Sequence, residues 1–292
     1  MEEFNDKVAV ITGSGGRNGI GRATATLLAE QGCKVVLSDI DEGALKATES
    51  DLSAAGHDVI GVQTDVADYD SVRNLADRAY DHFGQVDILF LNAGVTGLGT
   101  LLDDELTDWH RIFNINFFGI LNGIKAFVPR MIAQGTSGHV LGTSSGSGVV
   151  GVCHQTPSYS SSKAAVCTLL ECLYGHLRDQ GTAIKVHVVL PPLTKTGLIG
   201  NPDFMGMVQQ GLRNGGVPTG LAEPSDVAAT VVDAMRTGQF WAVNDHAADQ
   251  RLNGGQFADQ IDWEHQMLHN RTDSYIDRKT PDSYLWAAKF DS

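Results

Sequence analysis

Cysteine is scarce in this chain and follows no pattern. Its four residues, Cys33, Cys153, Cys167 and Cys172, lack metal-type spacing, so no metal site is expected. Thiols without a disulfide framework suit a reducing compartment, and a cytoplasmic location is expected. Basic residues are outnumbered, 21 against 35 acidic, for a formal charge of −14. Such a surface repels phosphate backbones and anionic bilayers, so neither nucleic acid nor a membrane is expected as a partner. No apolar run reads as long enough to cross a bilayer. Met1–Lys7 shows no basic segment ahead of an apolar stretch, so no signal peptide is expected.

What the chain does have is a repeated alternation. Lys7–Thr12 is a short apolar run ending at glycines, and a helical pattern from Gly19 to Gln31 follows. Lys34–Ser38 reads as a second strand, Glu42–Ala55 as a helix and Val59–Thr64 as a third strand. A helix over Asp68–Phe83 precedes a strand over Asp87–Leu91, and one long helix over Thr107–Ala133 precedes His139–Thr143. Ser158–Asp179 reads as a helix, Ile184–Leu190 as a strand, Ser225–Arg236 as a helix and Phe240–Asn244 as a last strand. Strands alternating with helices imply parallel pairing through right-handed crossovers. The expected fold is α/β: a Rossmann-like, doubly wound, mostly parallel sheet flanked by helices. Residues 1–245 are expected to form the catalytic domain, with a loop over 193–224, and 246–292 a C-terminal extension packing on it or on a partner subunit.

Between the first strand and the first helix stands Thr12-Gly13-Ser14-Gly15-Gly16-Arg17-Asn18-Gly19-Ile20-Gly21. Glycines there let backbone approach a pyrophosphate, and the helix N-terminus points unpaired N–H groups at it. Glycine clusters also occur in ordinary turns; the position after a strand and before a helix favours phosphate binding. Asp39 ends the second strand and is followed by Ile40. A carboxylate there accepts from both ribose hydroxyls and repels a 2′-phosphate, which favours NAD over NADP. The competing readings are a helix cap by Asp39 or Asp41, and a phosphate-pairing role for Arg17 that would admit NADP.

Tyr159 and Lys163 stand four apart at the start of a helical segment and share one face. A phenol with an ordinary pKa of about 10 is a poor base at neutrality. A neighbouring ammonium is expected to lower that value and fit Tyr159 to move a proton to or from an alcohol or ketone oxygen.

With the glycine loop, Asp39, Asp65-Val66, Asn92-Ala93-Gly94, Asn116-Phe117-Phe118-Gly119, Ser144-Ser145, Tyr159-Ser160-Ser161-Ser162-Lys163 and Pro191-Pro192-Leu193-Thr194-Lys195-Thr196 in this order, the chain resembles the short-chain dehydrogenase/reductase family over roughly residues 5–245. The resemblance implies an NAD-dependent oxidoreductase acting on CH–OH groups. It implies that Ser145 binds the substrate oxygen, that Tyr159 is the acid/base, that Lys163 binds the nicotinamide ribose and that Asn116 holds a water in a relay behind Lys163. Gly13, Asn18, Gly19 and Ile20 would face the pyrophosphate. Asp39 and Ile40 would meet the adenosine, with Asp65 and Val66 flanking the adenine. Asn92, Ala93 and Gly94 would line the cleft, and Pro191, Thr194 and Thr196 would fix the carboxamide. Ser144 remains an alternative to Ser145, and Asn114 competes with Asn116.

Several features depart from the family pattern. The glycine loop is two residues longer between Gly13 and Gly19. The Ser145–Tyr159 interval is one residue longer, attributed to Val152–Pro157. Pro192 replaces a glycine, and Asp245-His246 leads into the long tail instead of a glycine-rich ending.

The apolar stretch Leu198–Val208 suggests a hydrophobic aromatic, alicyclic or steroid-like secondary alcohol or ketone. Lignin-type aryl alcohol dehydrogenases of the family have similar long tails, which points toward benzylic alcohols. Ser147 and His154 are candidates to line the cleft. Pairing of the two long helices across a two-fold axis is implied by the family, giving a homodimer or homotetramer. A non-catalytic NAD sensor and a sugar-nucleotide epimerase or dehydratase stand as alternatives. The first would tolerate loss of the Ser–Tyr–Lys set; the second would want a larger C-terminal substrate domain.

Overall fold

The computed structural model describes residues 4–149, 155–199, 206 and 222–243. His154, most of the apolar stretch after Leu198 and the tail from residue 244 lie outside them.

Strands and helices alternate as the hydrophobic periods require: β1 (Val8–Thr12), α1 (Ile20–Glu30), β2 (Lys34–Asp39), α2 (Glu42–Ala54), β3 (Val59–Gln63), α3 (Tyr69–Phe83) and β4 (Ile88–Leu91). Then come α4 (Leu106–Phe113), α5 (Gly119–Gln134), β5 (Gly138–Thr143), α6 (Pro157–Asp179), β6 (Ile184–Leu190), α7 (Pro224–Thr237) and β7 (Trp241–Val243). The seven strands form one sheet in the order β3-β2-β1-β4-β5-β6-β7, and every pair is parallel. This is the doubly wound sheet expected. The order reverses between β1 and β4, and a crevice opens at the carboxyl ends of strands at such a switch point.

Parallel strands are buried on both faces and therefore read as near-continuous apolar runs. All five residues of β1 and all four of β4 are buried. Alternate positions serve opposite layers: Ala9, Ile11, Val35, Leu37, Ile88 and Phe90 join Ala25 and Leu28 of α1 and Val231 and Met235 of α7 in one core. Capping chemistry sets the helix starts. The Asp41 carboxylate accepts from Ala44 N–H at the head of α2, and Asp68 accepts from Asp70 N–H at the head of α3. A reciprocal Glu223–Asp226 box opens α7. By contrast α1 begins at Gly19 with no side-chain cap.

Two expectations change here. The single long helix over Thr107–Ala133 is three pieces: Asn114–Phe118 forms a π turn between α4 and α5. A π turn widens the helix by one residue, and single turns of this kind recur at functional sites. The joined run Leu106–Gln134 is also long and apolar enough to span a bilayer by length and composition, contrary to the sequence reading. Its Ile112, Ile120, Phe127 and Met131 are buried in the fold, and its Leu106 and Phe118 are exposed.

Candidate active site

The crevice is stitched together by threonines and one asparagine at the strand ends. Thr12 Oγ1 accepts from both Asn92 N–H (2.9 Å) and Ala93 N–H (3.1 Å), tying the end of β1 to the end of β4. Asn92 Nδ2 donates back to the Thr12 and Gly13 carbonyls, and its Oδ1 accepts from Thr143 Oγ1 (3.1 Å) at the end of β5. Three strand ends are thereby held in register around the switch point. Asn92 thus bonds protein with its whole amide; Thr12 heads the glycine-loop motif, whereas Thr143 is a neighbour that no motif singled out.

The glycine loop begins with Gly13 at φ +66°, and a Cβ there would stand 2.8 Å from Ala93 Cα. Ser14 is buried and bridges Ile11 O and Ser38, fixing the loop to β2. Gly15 N–H donates to Asp39 Oδ2 (2.8 Å), while Asp39 Oδ1 accepts from Asp41 N–H (3.1 Å). Thr48 Oγ1 donates to Gly15 O (2.9 Å) from α2. Beyond this anchor the loop opens: Gly16, Arg17 and Asn18 are exposed, and a Cβ on Gly16 would meet nothing within 4 Å. An open glycine loop ahead of an uncapped helix N-terminus fits a dinucleotide pyrophosphate. Asp39 is half-buried with its carboxylate oriented by two N–H groups, and Ile40 is exposed beside it. Asp65 is exposed with Oδ1 on Ala67 N–H, and Val66 packs over Gly119 while its carbonyl accepts from Asn122 Nδ2.

At the carboxyl end of β5 the two candidate serines separate. Ser144 is buried; its Oγ donates to Lys163 O (2.7 Å) and lies 3.1 Å from Cys167 Sγ. Ser145 is half-buried, its hydroxyl lies 3.2 Å from Ser147 Oγ, and its side chain draws the Tyr159 phenol downward. Ser144 is thereby engaged with the Lys163 carbonyl, while Ser145 is the serine that acts on the tyrosine's acidity. Lys163 is buried, donates from Nζ to Thr143 O (2.7 Å), and holds that ammonium 5.7 Å from the Tyr159 ring centre. Gly94 sits above it, where a Cβ would stand 3.3 Å from Lys163 Nζ and 3.2 Å from Asn116 Oδ1.

Burial is the main electrostatic influence on this pair. It pulls the Lys163 ammonium down to about 8. It pushes the Tyr159 phenol above its ordinary range, and the Ser145 hydrogen bond works in the opposite direction. The expected lowering of Tyr159 by the lysine is therefore replaced by a lowering through Ser145 set against a larger cost of burial.

Asn116 lies in the π turn and is fully buried. Its Oδ1 accepts from Val95 N–H (2.8 Å), and Nδ2 donates to Val95 O (2.9 Å) and Ser162 Oγ (3.0 Å). Ser162 Oγ in turn donates to Tyr159 O (2.7 Å). The amide pins the segment after β4 to the second turn of α6. Asn114, its competitor, is exposed. After β6, Pro191 is half-buried, Thr194 Oγ1 donates to Pro192 O (2.7 Å), and Thr196 N–H donates to Thr194 O. Thr194 pairs with Ala222 in an isolated bridge, and Lys195 ion-pairs with Glu223. Ser147 lies beside Ser145, within 3.2 Å of its hydroxyl. Among the described residues no group of three His, Cys, Asp or Glu side chains could hold a metal ion.

Comparison with known proteins gives the family. The family model for short chain dehydrogenases matches residues 7–202. The oxidoreductase SadH of Mycobacterium tuberculosis, itself named as putative, is 38% identical over 201 residues, covering 69% of this chain and 71% of that one. The glycine betaine reductase ATRR of Emericella nidulans is 35% identical over 250 residues, covering 85% of this chain but only 19% of that protein, so the chain spans about a fifth of that relative. A short chain dehydrogenase/reductase from Burkholderia phymatum, solved in complex with NAD, superposes with a TM-score of 0.77 at 34% identity, covering 89% and 97% of the two chains. LigO from Sphingobium superposes with a TM-score of 0.72 at 28% identity, covering 96% and 93%. With its parallel sheet, glycine loop and Ser–Tyr–Lys cluster in place, this chain belongs to the short-chain dehydrogenase family of oxidoreductases, which bind a nicotinamide cofactor.

Proposed function

We propose that the protein is an NAD-dependent dehydrogenase/reductase that interconverts a secondary alcohol and a ketone on a hydrophobic small molecule, stereoselectively, with Tyr159 as acid/base. The observation that carries this reading is the meeting of Ser145, Tyr159 and buried Lys163 at the end of β5.

Residues Gly13, Asn18, Gly19 and Ile20 bind the pyrophosphate, and Asp39 with Ile40 receives the adenosine ribose. Asp65 and Val66 flank the adenine, Asn92, Ala93 and Gly94 shape the cleft, and Pro191, Thr194 and Thr196 orient the carboxamide. NAD, when bound, supplies the hydride acceptor. Ser145 donates to the substrate oxygen and stabilises its developing charge. Tyr159 takes the alcohol proton in oxidation and returns it in reduction. Lys163 has two N–H donors beyond the one on Thr143 O, which serve the nicotinamide ribose and the proton path. Asn116 positions α6 through Ser162 and supports the relay. Pinning the substrate between Ser145 and Tyr159 presents one face to the hydride.

NAD preference is supported by the oriented Asp39 carboxylate and by the NAD complex of the Burkholderia relative. A hydrophobic substrate is supported by the apolar residues that follow β6, beginning with exposed Leu198. In this reading residues 1–245 carry the chemistry, 246–292 form an extension, and the enzyme is a cytoplasmic homodimer or homotetramer. Self-association is supported by exposed Leu102 and Leu106 beside the aromatic ladder Trp109–Phe113–Phe117.

Nicotinamide absorbance tests the reading. Benzylic, alicyclic and steroid alcohols are offered with NAD or NADP to the wild type and to Tyr159→Phe. Turnover with NAD that falls on the order of 10²- to 10⁴-fold in the variant is expected. NAD binding without turnover of any alcohol or ketone, or equal efficiency with NADP, would overturn the corresponding part.

A further inference from the structure

We propose that Gly148 and Ser144 are positioning residues that lock the Ser145 turn onto the backbone of Lys163, a role that rests on the reading of Ser145, Tyr159 and Lys163 given above. Gly148 ends the one-turn helix Gly146–Gly148, and its N–H donates to Ser145 O (3.0 Å). A Cβ at Gly148 would stand 2.6 Å from Lys163 C, 2.7 Å from Ala164 N and 2.9 Å from Lys163 O. Those are backbone atoms of α6 and have no rotamer by which to move aside. Gly148 does not adopt a positive φ, so its backbone conformation does not call for glycine. Only the close approach to α6 does. Gly146, in the same turn, is the natural contrast, because a Cβ there would meet nothing within 4 Å.

Ser144 reaches the same peptide, donating from Oγ to Lys163 O (2.7 Å), while Lys163 Nζ donates to Thr143 O (2.7 Å). The stretch from Thr143 to Gly148 therefore holds Lys163 at its ammonium, at its carbonyl and along its peptide. Ser145 lies inside that stretch and Tyr159 lies one helical turn before Lys163. Fixing the turn against α6 fixes the distance between the serine and tyrosine hydroxyls. A shift of about 1 Å in such a pair is enough to cost on the order of 100-fold in rate.

The test uses the full-length protein with Gly148→Ala, Ser144→Ala and Gly146→Ala. Three readouts are taken: NADH binding by fluorescence, kcat and KM with an alcohol that the wild type oxidises, and ionisation of Tyr159 by ultraviolet difference titration against Tyr159→Phe. Gly148→Ala is expected to lower kcat on the order of 10- to 100-fold while NADH affinity stays within about twofold. Its Tyr159 midpoint should move upward as the Ser145 hydrogen bond is lost. Ser144→Ala should move kcat and midpoint in the same directions by less, and Gly146→Ala should move neither. Equal losses in Gly148→Ala and Gly146→Ala would overturn the proposal, as would a Gly148→Ala defect confined to NADH binding. Should Gly148→Ala fail to fold, an unchanged kcat and midpoint in Ser144→Ala overturns it. Should the wild type oxidise no alcohol, the functional reading fails, and the Tyr159 midpoints alone still decide whether the turn is locked.

Discussion

The two ends of the sheet hold polar groups of similar kinds and treat them oppositely. At the amino end of the strands, Asp87 is buried and accepts from Val8 N–H (2.9 Å), Gln85 Nε2 (2.9 Å) and Lys7 Nζ (3.2 Å). Nearby, His139 Nδ1 and His187 Nε2 lie 2.9 Å apart in the core, and His187 Nδ1 bonds Gln239 O. These groups satisfy one another. At the carboxyl end, Lys163 keeps donors beyond the one on Thr143 O, and Gly94 lies close beside its ammonium, where a Cβ would stand 3.3 Å from Nζ. Saturated polar networks stabilise and specify a fold, whereas groups able to take new partners do chemistry.

Substitutions at the two ends should therefore separate rate from stability. The largest effect expected is on rate: Ser145→Ala should lower kcat on the order of 10²- to 10³-fold, with melting temperature nearly unchanged. Calorimetry beside nicotinamide-linked kinetics checks both. A stability loss comparable to that of a core mutant would break the contrast.

Next comes Asp87→Ala, expected to cost about 2–4 kcal/mol in urea unfolding by leaving the buried Val8 N–H without its acceptor. The folded fraction should retain its kcat. If kcat falls as sharply as in Ser145→Ala, the two ends are coupled and the comparison fails.

Acid sharpens the same point. Burial and the neighbouring His139 hold His187 down to about 3, against 6.5 for an ordinary histidine. Between those values the unfolded chain binds a proton that the folded chain refuses, so stability falls as pH drops below about 6.5, by about 1.4 kcal/mol per unit at most for this group. His187→Gln should flatten that acid slope in denaturation measured from neutral pH downward. An identical slope in both proteins would show that other groups carry it.

The smallest effect expected lies at the cofactor end. Asp39→Ala should weaken NAD binding on the order of 10-fold and narrow the gap to NADP, as read by fluorescence titration of both. Unchanged discrimination would assign the choice elsewhere, with exposed Arg17 the next residue to alter.

Much of this was legible in the residues. Period-2 and period-3.6 apolar patterns follow from where side chains point, so the described strands and helices fell within a few residues of their expected ranges, except the expected helix over Thr107–Ala133, which the π turn divides. The pair Tyr159 and Lys163 needed only helical spacing to share a face. Other parts had no local signature. The π turn at Asn114–Phe118 depends on what Asn116 binds, and Val95 lies 21 residues away. Helical spacing points to Lys163 as the lowering influence on Tyr159, but burial has the larger say there and the lowering comes from Ser145. Thr143 meets Lys163 through a backbone carbonyl, which any residue would carry, so nothing in the sequence could mark that contact.

By itself, the sequence determined the order of elements, the parallel sheet and the family to which the chain belongs, because these depend on local periodicity and on motifs read along the chain. Tertiary structure alone decided what each of the two adjacent serines meets. Ser144 and Ser145 are chemically identical neighbours, and successive residues of extended chain point to opposite sides. Only the docking of α6 against the end of β5 turns Ser144 toward the Lys163 carbonyl and leaves Ser145 facing Tyr159.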